Sequence, residues 1–280
     1  MLSESAPVLV TLLNPTHICL LVLAIALTPA WAPPANAADG PFIVFAASSL
    51  TEPLTEIGKK FRNQTGTEIK FSFAASSSLA RQIISGANPA VFFSANKQWM
   101  DAIDAQNLLT PESRRTLLSN EIVIAGRADS ALEPFSLDAT TDFNKLMRKK
   151  DRVAIGDPDH VPLGMYVEQR LTTLGLWPNL QTKLARADNA RAVLALIERG
   201  EVPFGFVYAS DLQLTSTLKV LARLPNADAN SIAYELALVG KSSSLADAFY
   251  SFVNTAMAKK IFTDHGFLWI GKTELVNGNL

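Results

Sequence analysis

The chain has 280 residues, of which 48% are hydrophobic and 18% charged, a globular composition long enough for two lobes with separate hydrophobic cores. Its 25 basic and 26 acidic residues give a formal net charge of −1. This balance excludes the basic face that a nucleic-acid-binding protein needs, so no nucleic-acid partner is expected.

The first 37 residues predict a secretory signal peptide. An apolar run at 18–27, shorter than a membrane span, is followed by Pro-rich sequence that ends in Ala35-Asn36-Ala37, an A-x-A cleavage site. We therefore expect cleavage after Ala37 and a periplasmic protein. Because no Lys or Arg precedes the apolar run, an uncleaved anchor or a misassigned start stays open as an alternative. Cleavage removes Cys19, the one cysteine, and this excludes thiol catalysis in the mature chain.

Strand and helix patterns alternate along the rest of the chain. Apolar stripes at helical spacing, such as Leu54, Ile57 and Phe61, predict helices that end at glycines. The alternation predicts an α/β fold of two lobes, each a doubly wound and mostly parallel sheet, with strands that cross between the lobes. Lobe I is predicted at 38–118 and 234–280, and lobe II at 119–233, with the ligand in the cleft between them. Strands are predicted at 41–47, 68–73, 90–94, 121–125, 152–155, 204–208 and 232–239. Helices are predicted at 54–66, 79–86, 99–108, 165–174, 189–199 and 245–253.

Two serine clusters follow the first two predicted strands, at the points where helices begin. Ser48-Ser49 comes after the first strand and Ser76-Ser77-Ser78 after the second. Free backbone N–H groups and the partial positive charge of a helix N-terminus suit an anion, and hydroxyls add further donors. The alternative is that both clusters only cap their helices, and Ser49 with Glu52 fits a capping box. Both interpretations stay open at this point.

The second half of the chain offers similar donors. The turn-rich segment 156–164 leads from a strand into a helix, which places the Leu163 amide near that helix start. Asp188 is predicted to cap the helix beginning at Asn189, so that the Ala190 amide lies in the first turn. Tyr208 ends a buried strand and places its phenol at the same edge of the sheet. These groups predict the other half of an anion site.

Two other kinds of site are disfavoured. Asp157, Asp159 and His160 are too few and too irregularly spaced for a hard-cation loop, and zinc would need a second ligand pair. A serine hydrolase needs a G-x-S-x-G elbow, which is absent from the sequence, and a base, for which His265 is poorly placed. We expect no enzymatic activity, no cofactor and no directly bound metal cation.

At these residues the chain resembles the periplasmic molybdate-binding proteins of molybdate ABC transporters. The resemblance covers essentially all of the chain after residue 37, and it is densest at 45–51, 76–83, 156–162 and 205–211. It implies a two-lobed periplasmic binding protein fold of type II that binds molybdate, and tungstate as well. It also implies delivery of the oxyanion to an ABC transporter permease by a monomeric binding protein.

The resemblance also implies the residues that hold the oxyanion. In lobe I these are Ser49 and Ser76, each through its hydroxyl and backbone N–H. In lobe II they are the amides of Leu163 and Ala190 and the hydroxyl of Tyr208.

The sequence departs from the family pattern at four positions. The family usually has Ala at Leu163 and Val at Ala190, and both positions act through the backbone, so binding is expected to survive. The family usually has Asp at Ala90 and Asn96, which we expect to affect the stability of the loop after the third strand more than the identity of the ligand. The alternatives are a sulfate- or phosphate-binding protein of the same fold, a ligand-sensing domain, and a serine hydrolase.

Overall fold

The computed structural model describes residues 42–225 and 232–271, which contain two mixed β-sheets. The six-stranded sheet has the order β11-β4-β10-β3-β1-β2 and the five-stranded sheet the order β7-β6-β8-β5-β9. The strands are β1 Ile43–Ala47, β2 Lys70–Ala74, β3 Val91–Ser94, β4 Arg115–Ser119, β5 Ile122–Arg127, β6 Val153–Gly156, β7 Leu184–Ala187, β8 Phe204–Tyr208, β9 Leu218–Arg223, β10 Tyr234–Leu238 and β11 Leu268–Trp269.

Helices follow most of the strands, as the alternation predicted. Their ends coincide with glycines in the left-handed conformation at Gly66, Gly175 and Gly200, where φ is +75°, +73° and +70°. The α-helices are α1 Thr51–Thr65, α2 Ser76–Ile84, α3 Lys97–Asp104, α4 Pro162–Thr173, α5 Trp177–Leu180, α6 Ala190–Glu198, α7 Ser244–Val253 and α8 Ala256–Asp264. None of the helices within the described ranges is long and apolar enough to cross a membrane. The predicted signal peptide at 1–37 lies outside those ranges.

The two-lobed α/β architecture is confirmed, but both sheets contain more antiparallel pairing than the alternation predicted. β1 pairs in parallel with β2 and β3, and β6 with β7 and β8, whereas β10 and β5 pair antiparallel with both of their neighbours. The chain passes to the second sheet between β4 and β5 through two residues only, and it returns between β9 and β10. A crossover helix is what brings a strand back parallel to its predecessor. β5 enters directly from the other sheet and lacks this helix.

The predicted apolar stripe of α1 forms part of the core of lobe I. Leu54, Ile57 and Phe61 are buried, and the Phe61 ring packs edge-to-face on that of Phe249 with 5.4 Å between the centroids. Edge-to-face contact is a preferred geometry of aromatic pairs and adds to the stabilisation from burial. This packing holds α1, and with it the segment between β1 and α1, against the sheet.

The close approach of α4 to β6 depends on glycine. A Cβ added at Gly164 would lie 1.9 Å from the carbonyl oxygen of Gly156, a contact that no side chain allows. The two glycines, Gly156 and Gly164, therefore allow the first turn of α4 to pack against the end of β6. In both sheets the helix starts lie at the carboxyl ends of parallel strands, where ligands bind in α/β folds.

Candidate functional site

All five residues predicted to bind the oxyanion line one small cavity between the two sheets. Ser49, Ser76, Leu163, Ala190 and Tyr208 meet there, and each is buried. The space open to the centre of a water molecule is only about 10 Å³, so the cavity suits one compact ligand rather than an organic molecule. No lining residue carries a charged side chain; the other lining residues are Ala47, Ser48, Ala74, Ala75, Ala95, Val161 and Pro162.

Three α-helices present their N-termini to this cavity. Ser76 is the first residue of α2, Leu163 the second of α4 and Ala190 the first of α6. The N–H groups of the first turn have no acceptor within their own helix. Ser49 occupies the equivalent place in the short 3₁₀ helix Ser48–Leu50 that follows β1. The cavity therefore collects backbone donors and the partial positive ends of three helix dipoles.

The two serines do not cap their helices. The N-cap residues of α1 and α2 are Leu50 and Ala75, and neither makes a side-chain capping bond, so Ser49 and Glu52 do not form the capping box of the alternative interpretation. The Ser49 hydroxyl lies 3.0 Å from the Tyr234 hydroxyl, and the Ser76 Oγ accepts a hydrogen bond from the Ala95 N–H at 2.9 Å. The capping alternative fails, because both hydroxyls are held beside the cavity by partners distant in sequence.

The Tyr208 hydroxyl is buried beside the cavity and has no hydrogen-bond partner among the described residues. Burial raises the pKa of this phenol well above its ordinary value, and the nearby Tyr234 adds to the effect, so Tyr208 remains a protonated donor at neutral pH. A buried hydroxyl without a partner costs about 1–3 kcal/mol. An anion in the cavity would give this hydroxyl its acceptor.

Hydrogen bonds between the lobes surround the cavity. The Trp99 indole N–H donates to the His160 carbonyl at 2.8 Å, and the Ser77 hydroxyl lies 3.0 Å from Nδ1 of His160. The Tyr166 hydroxyl donates to the Ala95 carbonyl at 3.3 Å. These contacts place the helix starts of both lobes against one another around the same cavity.

The carboxylates that suggested a metal loop have other partners. Arg186 contacts Asp157 at 3.1 Å and Asp159 at 2.7 Å, and His160 faces Ser77. Within residues 42–225 and 232–271, no group of three or more metal-ligating side chains is present. The segment 157–160 thus forms a charged turn at the entrance of α4.

Arg191 follows the cavity-lining Ala190, and the sequence did not reveal the role of its side chain. Its guanidinium donates to Asp211 at 2.8 Å, contacts Glu52, and reaches the carbonyl oxygens of Ser48 and Ser49 at 3.3 and 3.4 Å. Asp211 is completely buried, and its second carboxylate oxygen has no partner in the described part of the chain. Arg191 therefore joins the start of α6 in lobe II to the 3₁₀ helix that carries Ser49 in lobe I.

The buried Asp211 predicts a pH dependence of stability. Burial raises the pKa of its carboxyl to about 6, against the lowering effect of Arg191. The unfolded chain releases this proton at about pH 4, so between about pH 4 and 6 the folded state holds one proton more than the unfolded state. The Asp211 contribution to the free energy of unfolding is therefore expected to decline as the pH rises through this window. Urea unfolding at a series of pH values should show this decline in the wild type and lose it in Asp211→Asn; equal slopes would contradict the assignment.

The N-cap of α6 is Asn189, one residue later than predicted. The Asn189 side chain accepts a hydrogen bond from the Ala192 N–H at 3.0 Å, whereas the predicted cap, Asp188, is exposed. We expect Asn189→Ala to lower the free energy of unfolding by about 1 kcal/mol, the usual cost of a lost cap. Asp188→Ala, the matched control, should change it by less than about 0.5 kcal/mol. Thermal unfolding of both variants decides between the two residues, and a larger loss in Asp188→Ala would overturn the assignment.

Two of the departures from the family pattern have clear structural roles. Asn96 is the N-cap of α3, since its side chain accepts from the Trp99 N–H at 3.2 Å. Asn and Asp cap helices about equally well, which explains why Asn serves at this position. Ala90 keeps its backbone bond to the Ile43 carbonyl at 2.8 Å. Asn96 therefore fixes the end of the loop after β3, whereas Ala90 lies just before β3 and anchors the start of that strand.

Comparison with known proteins gives consistent matches. Residues 42–268 match the family model described as bacterial extracellular solute-binding protein. The chain is 38% identical over 234 residues to the molybdate-binding protein ModA of Escherichia coli K12, covering 83% of this chain and 91% of that protein. It is 34% identical to the Haemophilus influenzae protein of the same name, covering 82% and 91% of the two chains. Among solved structures, the periplasmic molybdate-binding protein of Azotobacter vinelandii has a similar fold, with a TM-score of 0.66, 23% identity, and coverage of 81% of this chain and 98% of that one.

Proposed function

The chain belongs to the family of bacterial extracellular solute-binding proteins, and on this premise we propose that it binds molybdate and delivers it to an ABC transporter permease. The proposal draws on the two relatives that are named for molybdate binding and are more than 30% identical to this chain. It assigns the ligand to the cavity that Ser49, Ser76, Leu163, Ala190 and Tyr208 line.

One observation carries the proposal: the cavity is buried and uncharged, and its polar groups are disposed as donors. Serine hydroxyls, helix-start amides and the unpartnered Tyr208 phenol surround it. Hydrogen bonds to a charged acceptor are about twice as strong as those between neutral groups, so a dianion can be held without a Lys or Arg in contact with it. Molybdate is such a dianion, since it is tetrahedral and carries no proton at neutral pH.

This arrangement of hydrogen-bond donors disfavours hydrogen phosphate as a ligand. Its O–H group would find no acceptor in a cavity of donors, and an unpaired buried polar group is costly. Sulfate is the second candidate, because it has the same charge and shape as molybdate and differs in size. Tungstate, close to molybdate in charge, shape and size, is proposed as an equivalent ligand.

The localisation and the oligomeric state are proposed from the family to which the chain belongs. We propose that residues 1–37 direct export to the periplasm and that the mature chain acts as a monomer without enzymatic activity or cofactor. Lobe I, at 38–118 and 234–280, and lobe II, at 119–233, would close on the ligand by a hinge motion, because the donors come from both sides of the cleft.

An anion titration tests the proposal. Isothermal calorimetry of the mature protein with molybdate, tungstate, sulfate and phosphate at neutral pH should show one site per chain, with molybdate and tungstate bound much more tightly than phosphate. Tighter binding of sulfate than of molybdate would support the second candidate. Absence of binding by all four anions would overturn the proposed function.

A further inference from the structure

The direction of each serine proton decides which anions the cavity accepts. We propose that Tyr234 is a specificity-determining residue, whose hydroxyl donates to Ser49 Oγ and so leaves the Ser49 proton for the ligand. The inference rests on the proposed anion-binding function and adds to it a residue that does not itself line the cavity.

At Ser76 the proton direction follows directly from the contacts. The Ala95 N–H donates to Ser76 Oγ at 2.9 Å, and a backbone N–H cannot act as an acceptor. The proton of the Ser76 hydroxyl is therefore not used in this bond. Ser76 is fully buried against the cavity, so this proton is available to a ligand there.

At Ser49 the direction follows from the neighbours of Tyr234. The Asn120 Oδ1 accepts from the Glu121 N–H at 2.9 Å, and this orients the Asn120 amide nitrogen towards Ser210 Oγ at 2.8 Å and the Tyr234 hydroxyl at 3.5 Å. Because an amide NH₂ group only donates, the Tyr234 oxygen is the acceptor of that contact. Of the two hydrogen-bond contacts of the Tyr234 hydroxyl in the described part of the chain, the one to Ser49 Oγ, at 3.0 Å, is the one that can accept its proton.

A hydrogen bond in the opposite direction, from Ser49 to Tyr234, is unfavourable. If Ser49 donated to Tyr234, the fully buried phenol proton would have no acceptor among these contacts. A buried donor without an acceptor destabilises the folded protein. Burial also raises the pKa of the Tyr234 phenol, so the hydroxyl stays protonated and able to donate. The contacts therefore form a chain with one direction, from Asn120 to Tyr234 to Ser49 to the ligand.

In this chain Ser49 gives its proton to the ligand, and Tyr234 already occupies one of the two acceptor positions of Ser49 Oγ. Removing the Tyr234 hydroxyl would free Ser49 Oγ to rotate and to accept a proton from a ligand, which is what hydrogen phosphate needs. Phe at this position would keep the ring in its edge-to-face contact with Phe267, whose centroid lies 5.4 Å away. Tyr234→Phe therefore removes the hydrogen bond that orients the Ser49 hydroxyl, with little change in packing.

The test measures affinity for molybdate, and for phosphate by displacement of molybdate, in the wild type and in Tyr234→Phe. We expect molybdate to bind about tenfold more weakly to the variant, the equivalent of one weakened hydrogen bond, and the ratio of molybdate to phosphate affinity to fall by about tenfold or more. A change in this ratio is not expected from a general loss of packing. An unchanged ratio would overturn the proposal.

Two further variants keep the test specific. In Ser49→Ala, the additional change Tyr234→Phe should cause no further loss of molybdate affinity, because the two groups act through one bond; independent, additive losses would overturn the proposal. Tyr250→Phe removes a phenol that donates to the Ser113 carbonyl elsewhere in lobe I, and it should leave the affinity ratio unchanged. A wild-type protein that binds no tetrahedral anion would instead overturn the proposed function itself.

Discussion

Arg191→Met is expected to lower the free energy of unfolding by about 3–5 kcal/mol, the usual cost of leaving one partner of a buried ion pair alone. Arg191 is mostly buried, and Asp211, 2.8 Å away, is completely buried. Without the guanidinium, the Asp211 carboxyl either stays charged without a partner or takes up a proton, and the Ser48 and Ser49 carbonyls lose their donor. Urea unfolding at neutral pH measures the loss, and a change below about 1 kcal/mol would contradict the role of Arg191.

Two controls separate this effect from the loss of a surface charge. The double variant Arg191→Met with Asp211→Asn has no buried charge left to compensate, so it should recover part of the stability that Arg191→Met loses. Arg186→Met also breaks two ion pairs, with Asp157 and Asp159, but its side chain is 43% exposed. Exposed pairs contribute at most about 1 kcal/mol, so this variant should stay close to the wild type.

The βα units that carry the site could be predicted because the residue pattern that defines each unit lies within a short stretch of the sequence. β1 has four buried residues in a row, and α1 repeats its apolar residues at helical spacing until Gly66. In such segments a short stretch of sequence indicates both the type of element and where it ends. The same local rules placed Ser76, Leu163 and Ala190 at helix starts, so the backbone donors of the cavity were predictable.

Several elements were not predicted, chiefly strands with one face in solvent. β7 contains the exposed Arg186 and lies at the edge of its sheet, and β4 begins with the exposed Arg115. β9, also at an edge, and the two-residue β11 were missed as well, together with α8. Short or half-exposed strands lack the continuous apolar run that marks a buried strand, so their pairing is decided by the neighbouring strand rather than by their own sequence.

The side-chain contacts around the cavity were not predictable either. Ser49 and Tyr234 are 185 positions apart, and Arg191 reaches Glu52 across 139. No local pattern links such residues, because their meeting depends on how the chain crosses between the sheets. The sequence thus indicated which groups could donate to an anion, and only the fold revealed what orients them.

Ser76→Ala is expected to weaken molybdate binding by about 2 kcal/mol, or about thirtyfold, the cost of removing one donor to a charged ligand. The change also leaves the buried Ala95 N–H without its acceptor, so the free energy of unfolding should fall as well, by about 1–3 kcal/mol. Ser78→Ala, two positions along α2, is the matched control, since Ser78 does not line the cavity and its loss should leave the affinity unchanged. Calorimetry gives the affinities and urea unfolding the stabilities. Because the two effects have different causes, a stable Ser76→Ala protein with wild-type affinity would remove Ser76 from the site, whereas loss of stability alone would leave it only a structural role.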